Sequence, residues 1–214
     1  MDTDPIDAGQ ILAAVEAKRG YLLPYHRMLG THDPGLLAAY DAYYQKLTLD
    51  PRALTAGDRE LVWTALQAAT REAHGQIHLR RADAAGVPRA RLAEALAVAA
   101  AVEAWPVLAF GRTHWGDWFA AAAVEARYLA LFEGARGDLP AAIAELIAVT
   151  CHAARRSHDG MRLHLPRAFA AGASTAALAE ALSYLLLPAG GPCLIDATAA
   201  WKQAAEDGLC PAPW

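Results

Sequence analysis

Nothing in these 214 residues places two cysteines at short range. Cys151, Cys193 and Cys210 form no C-x-x-C pair, which excludes a dithiol redox centre, and three unevenly spaced thiols make no disulfide framework. No basic block occurs either. Nineteen Lys and Arg against 23 Asp and Glu leave a net charge of −4, which argues against nucleic acid as the main partner. With 55% hydrophobic and only 20% charged residues, intrinsic disorder is excluded. The first ten residues lack the positive cluster and apolar run of a signal peptide. The most apolar stretch, Leu92 to Phe110, carries Glu94, Glu103 and Pro106, so a membrane span is not expected and a cytoplasmic location is. The Gly190-Gly191-Pro192 turn lacks the lysine of a phosphate loop, and a G-x-S-x-G elbow is missing.

What is present is helix-forming. Alanine makes up about a quarter of the chain, and β-branched residues never gather into alternating runs. Asp33-Pro34 is a cap followed by a first-turn proline, and Thr55 with Asp58 resembles a capping box. Gly86-Val87-Pro88 and Gly172-Ala173-Ser174 read as a stop followed by a fresh start. The expected helices cover 8–18, 34–48, 56–71, 73–85, 89–103, 106–132, 139–156, 159–171, 175–187 and 193–206. The fold class is all-α.

Beneath this lies an internal repeat. HLRRADAAGVPRARLAEAL from His78 matches HLPRAFAAGASTAALAEAL from His164 without a gap at an offset of 86, and the register carries Pro106 to Pro192 and Trp115 to Trp201. The expectation is one domain over 1–214: two pseudo-symmetric repeats at 50–115 and 138–201, with residues 1–50 an added helical cover.

The densest cluster of reactive side chains is TREAHGQIH, 70–78. On a continuous helix Arg71, His74 and His78 share one face, flanked by Gly75, Ala82 and Ala85, a combination suited to bordering a pocket. Glu72 points about 100° away and reaches a site only from the helix start or at an interface. Glu60, one helix earlier, can face the cluster across the hairpin. The gapless register puts Ser157, Gly160 and His164 opposite Arg71, His74 and His78, with His158 and Arg162 close by. A histidine kept in both halves serves the architecture, so the first half is favoured for chemistry. An i, i+4 histidine pair also suits two metal ligands, yet no H-E-x-x-H occurs because residue 75 is glycine. Tyr25 and His26 are placed at a pocket entrance; His114 and His152 remain single, unassigned histidines.

These elements resemble the carboxymuconolactone decarboxylase and alkylhydroperoxidase-like superfamily. DREL at 58–61, HLRRADAAG at 78–86 and LAEAL at 92–96 carry the likeness, closing on Pro106; HLPRAFAAG, LAEAL and Pro192 repeat it. The peroxidase-like branch has C-x-x-C-x-x-x-H, whose cysteines fall here at Arg71 and His74, and at Ser157 and Gly160 in the second copy. A two-thiol peroxide cycle is therefore excluded at this site. The decarboxylase branch resembles TREAHGQIHLR at Arg71, Glu72 and His78, and the second copy keeps Asp159, Arg162 and His164. The resemblance implies a cofactor-free lyase or isomerase acting on a small carboxylate or lactone, in a homo-oligomer, dimer or trimer. Arg71 would hold the carboxylate while His74 and His78 move the proton. Two alternatives stand beside it. One is a metal-dependent hydrolase or hydratase with His74, His78 and Glu60 or Glu72 as ligands; the other is a ligand-binding or interaction module without chemistry.

Overall fold

The computed structural model describes residues 7–214, and among them no strand occurs. They fall into two compact units, one up to Asp50 and one from Pro51 to Trp214.

The first unit holds α1 (Ala8–Arg19), α2 (Pro24–His32) and α3 (Pro34–Tyr44), the last running into a π-helical turn, Gln45–Leu49. Asp33 caps α3 by accepting from the Leu36 amide at 2.8 Å, as the Asp-Pro pair indicates. α2 is an element that sequence patterning did not separate. His26 is not at a pocket entrance but buried. Its Nδ1 accepts from the Leu23 amide, and Arg19 lies against its other nitrogen. Arg19 is itself buried, paired with Asp41 at 3.0 Å and stacked 3.8 Å over the Tyr44 ring. Burial and the Arg19 charge lower the His26 pKa to about 4, so this imidazole stays neutral.

The second unit runs α4 (Ala56–Ala69), a 3₁₀ turn (Ala73–Gly75), α5 (Gln76–Ala84), α6 (Arg89–Val102), α7 (Trp105–His114) and α8 (Ala121–Arg136). It continues through α9 (Ala141–Ala154), α10 (His158–Ala170), α11 (Thr175–Ser183) and α12 (Gly191–Glu206). α9 is the axis of the unit. Every residue from Ile143 to Ala153 is buried, and α4, α6, α10 and α11 pack round it. The expected helix 106–132 is instead two. Trp115 leaves helical geometry, and the turns through Gly116-Asp117 part α7 from α8. Arg89–His114 is long and apolar enough to cross a membrane by length and composition. The structure breaks it between α6 and α7 and packs α6 on α4, α8 and α9.

The repeat is visible in the caps. Gly86 and Gly172 both take left-handed φ, 75° and 96°, after α5 and α10, a conformation that costs glycine nothing. Each LAEAL glutamate has a structural task. Glu180 accepts from the backbone amides of Ala53 and Leu54, at 2.5 and 2.9 Å, in the segment leading into α4. Its counterpart Glu94 accepts from the Asp138 amide at 3.0 Å, in the segment leading into α9. Each repeat thus clasps the entry to the other.

Arg71 and Arg156 are the described non-glycine residues with positive φ, 61° and 53°. An L-residue is strained there. Arg156→Gly is expected to raise stability by about 0.5–1 kcal/mol, since its exposed pair with Asp196 contributes little. Chemical denaturation of the two proteins measures the difference.

Candidate functional site

The left-handed arginines give the two halves a common reference point, and with it a corrected register. Arg71 matches Arg156, 85 residues on, and the same offset pairs Glu60 with Glu145, Gln67 with His152, Glu72 with Ser157 and Gly75 with Gly160. From His78 and His164 onward the offset is 86. The extra residue is absorbed at the start of the helix. In the first half a 3₁₀ turn precedes α5, whereas α10 begins directly at His158. A 3₁₀ turn covers its rise with fewer residues, so both histidines arrive at the same place. The cysteine positions of the peroxidase-like branch therefore fall at Glu72 and Gly75 in the first half, not at Arg71 and His74; Ser157 and Gly160 stand as read.

The same turn breaks the expected Arg71–His74–His78 face. Arg71 lies in the left-handed junction and His74 in the 3₁₀ turn, both exposed, and only His78 belongs to α5. His78 is buried, stacked on Trp63 at 4.5 Å, with Nδ1 2.7 Å from Glu60 Oε2. Glu60 does face the cluster across the hairpin, but it meets His78 alone of the three. Burial lowers the His78 pKa, against the opposing pull of Glu60. His74 and His78 thus do not come together as a ligand pair. Among the described residues no group of three His, Cys, Asp or Glu is arranged to hold a metal ion.

A cavity of about 540 Å³ opens between α4, the 3₁₀ turn, α5 and α6. Leu79, Leu92 and Leu96 form its apolar wall, and Arg71 and Glu72 also line it. Glu72 reaches it from the helix start, by the route the sequence left open. One Glu72 oxygen caps the turn by accepting from the His74 amide at 2.9 Å. Arg71 Nη1 donates to the Ala68 and Ala69 carbonyls at the end of α4, and Nη2 lies 3.5 Å from Glu103. Gln67 and Thr64 also line the cavity, and Gln67 Oε1 and Thr64 Oγ1 are buried without a partner. His74 and His78 are not on its wall.

The second half is closed where the first is open. His152, the counterpart of Gln67, lies directly beneath Gly160, and a Cβ on Gly160 would overlap its ring. His164 Nδ1 is 2.6 Å from Glu145 Oε2, repeating the Glu60–His78 dyad. The second dyad goes further. His164 Nε2 is 2.7 Å from Tyr128 Oη, which is 2.8 Å from His152 Nε2. Arg167 Nε donates to Glu145 Oε1 at 2.8 Å. His152 Nδ1 is buried without a partner. Burial pushes Glu145 up to about 7 and both histidines down to about 3. His158 and Arg162 lie on the other side of α10, lining a separate cavity of about 450 Å³ against α12, where Arg162 pairs with Asp207.

Sequence reasoning left Glu145, Tyr128 and Gln67 unnamed and His152 unassigned. A usable signal existed for the first: Glu-Leu-Val at 60–62 and Glu-Leu-Ile at 145–147 precede their histidines by 18 and 19 residues. Tyr128 lies on α8, between the two stretches whose sequences visibly recur, and no periodicity points to it.

An all-α unit built from two copies of a helical hairpin, each pinned by a buried Glu–His pair, is a duplicated helical scaffold with polar side chains near the turns that open α5 and α10. The Carboxymuconolactone decarboxylase family model matches residues 34–113 and again 119–203, so the chain belongs to that family. The two matches part near the break between α7 and α8. No curated protein and no solved structure matches the chain.

Proposed function

We propose that the first-half cavity is the active site of a lyase or isomerase that moves a proton on a small carboxylate or lactone without a cofactor. The observation that supports this reading is the placement of Arg71 and Glu72 together on a mostly apolar cavity of ligand size. Loss of CO₂ leaves an electron pair on carbon that takes up a proton, whereas migration of a double bond removes a proton from one carbon and returns it to another. Arg71 is suited to the substrate carboxylate, because its exposed contact with Glu103 is weak and a guanidinium offers a forked donor set. Glu72, with one oxygen engaged by the turn, has the other to carry the proton. Leu79, Leu92 and Leu96 offer an apolar surface to the body of the substrate. In this reading His78 and Glu60 are positioning residues that fix α5 on α4. The catalytic part first expected of His74 and His78 passes to Glu72.

The test is a panel of unsaturated carboxy-lactones and β-keto acids, followed by proton NMR for decarboxylation and for solvent deuterium incorporation. On any substrate turned over, Glu72→Gln should lower kcat by about 10²–10⁴. Arg71→Met should act mainly by raising KM, about tenfold or more, through loss of a charge-assisted hydrogen bond. Wild-type kcat/KM in both variants would overturn the assignment.

A further inference from the structure

The second half holds a feature that the first-half site does not use: four buried side chains in one unbroken hydrogen-bonded line, from Glu145 through His164 and Tyr128 to His152. We propose that this line is a second proton-transfer element, which stores a single proton as a unit and passes it between Glu145 Oε2 and His152 Nδ1, beneath Gly160.

The argument rests on which atoms can donate. With Glu145 ionised, Oε2 accepts, so His164 carries its hydrogen on Nδ1 and offers a lone pair at Nε2. Tyr128 must then donate its hydroxyl hydrogen to that lone pair. Its oxygen in turn accepts from His152 Nε2–H, which leaves His152 Nδ1 as a bare lone pair. Adding one proton reverses every link. Oε1 is held by the Arg167 Nε–H at 2.8 Å and must remain an acceptor, so a proton on Glu145 belongs on Oε2. There it faces His164 Nδ1, which must become an acceptor. The hydrogen of His164 moves to Nε2, Tyr128 turns to donate to His152 Nε2, and His152 carries its hydrogen on Nδ1. One proton enters from solvent, three hydrogen bonds invert, and neither ring becomes an imidazolium.

That last point is why the line acts as a unit. Two stacked imidazoles with centroids 5.3 Å apart, both fully buried, cannot be charged cheaply. Tyr128 does not ionise either, since burial and then Glu145 raise its pKa. The charge is left to change at Glu145, beside Arg167 and Glu133 of the surrounding helices and near Arg136. At the other end His152 faces Asp159 of α10 and the Trp105 indole of α7, and Arg112 of α7 pairs with Asp159 at 3.4 Å. The first half cannot form such a line. Gln67 stands where His152 does, and His78 stacks on Trp63, whose indole carries no hydroxyl to both accept and donate.

Histidine ring nitrogens report tautomers directly, so ¹⁵N NMR of the wild-type protein across neutral pH is decisive. The expected result is a pair of buried histidines that exchange Nδ1-H and Nε2-H forms in opposite senses along the line with one shared midpoint. Neither should show the two equivalent protonated nitrogens of imidazolium. In Tyr128→Phe the His152 tautomer should no longer follow that of His164, and in Glu145→Gln the shared step should vanish. Fixed tautomers through the range, two separate midpoints, or an imidazolium signal from either buried ring would each overturn the proposal. Because the wild-type titration decides alone, a variant that fails to fold does not blunt the test. The substrate panel reads Arg71 and Glu72 independently, so either proposal can fail without the other.

Discussion

Gly160→Ala is expected to cost about 3 kcal/mol of stability, a large effect for one methyl group. The added Cβ would overlap the His152 ring and sit 2.8 Å from Trp105 Cδ1. Both neighbours are buried, and neither is the loose end of a flexible chain: His152 is held by Tyr128, and Trp105 packs on the Tyr128 ring at 4.8 Å. Overpacking of a well-filled core typically costs about 1–3 kcal/mol, and here the displaced ring also risks its hydrogen bond. Gly134, inside α8, where an added Cβ would meet open space, is the control. Gly134→Ala should stabilise by about 0.5–1 kcal/mol through helix propensity. Urea unfolding of the two variants measures the contrast, and equal stabilities would show that the ground beneath Gly160 yields.

A second large effect is expected from pH. His152 and His164, with pKa values lowered to about 3 from 6.5, bind fewer protons folded than unfolded over that interval. Their contribution to stability is therefore lost as pH falls through 6.5 toward 3. Glu145, raised from 4.5 to about 7, acts in the opposite sense between those values, since the folded state there holds the extra proton. From these three groups the net is one proton between pH 4.5 and 6.5, so stability should fall by between about 1 and 2 kcal/mol per pH unit on acidification. Below 4.5 the slope should steepen, because Glu145 no longer opposes. His152→Gln, which installs the residue found at the equivalent first-half position, should flatten the dependence between 4.5 and 6.5 relative to wild type. Denaturant midpoints at several pH values provide the comparison, and parallel curves would remove His152 from the account.

Much of the scaffold was legible because its signals are local. Asp33-Pro34, Thr55 with Asp58, and the two helix-stopping glycines all cap as their chemistry indicates, with Asp58 donating its amide to Thr55 Oγ1 at 3.2 Å. The repeat was legible too, since His, Gly, Glu and Pro recur in step. The site was harder to read for a definite reason. A gapless alignment starting at His78 hides a one-residue difference just upstream, and a 3₁₀ turn takes it up. Counting 100° per residue across that turn joined Arg71 and His74 to His78 on a face that does not exist. The same shift brings Glu72 to the cavity wall. His152 and Tyr128 stayed obscure because their partnership spans helices that no sequence period relates.

The crossed attachment of Glu94 and Glu180 bears on how such a chain arises. Each glutamate grips the backbone that leads into the opposite repeat, so the pair of contacts is reciprocal. That is the contact pattern of an isologous dimer, in which what one subunit offers it also receives. A single repeat on its own would expose the glutamate and the amides it seeks, and a second copy would satisfy both at once. The two halves of this protein are thus bound together as partners would be, and joining them in one chain secures the pairing while leaving each half free to diverge. One has kept a cavity, and the other has closed over a line of hydrogen bonds.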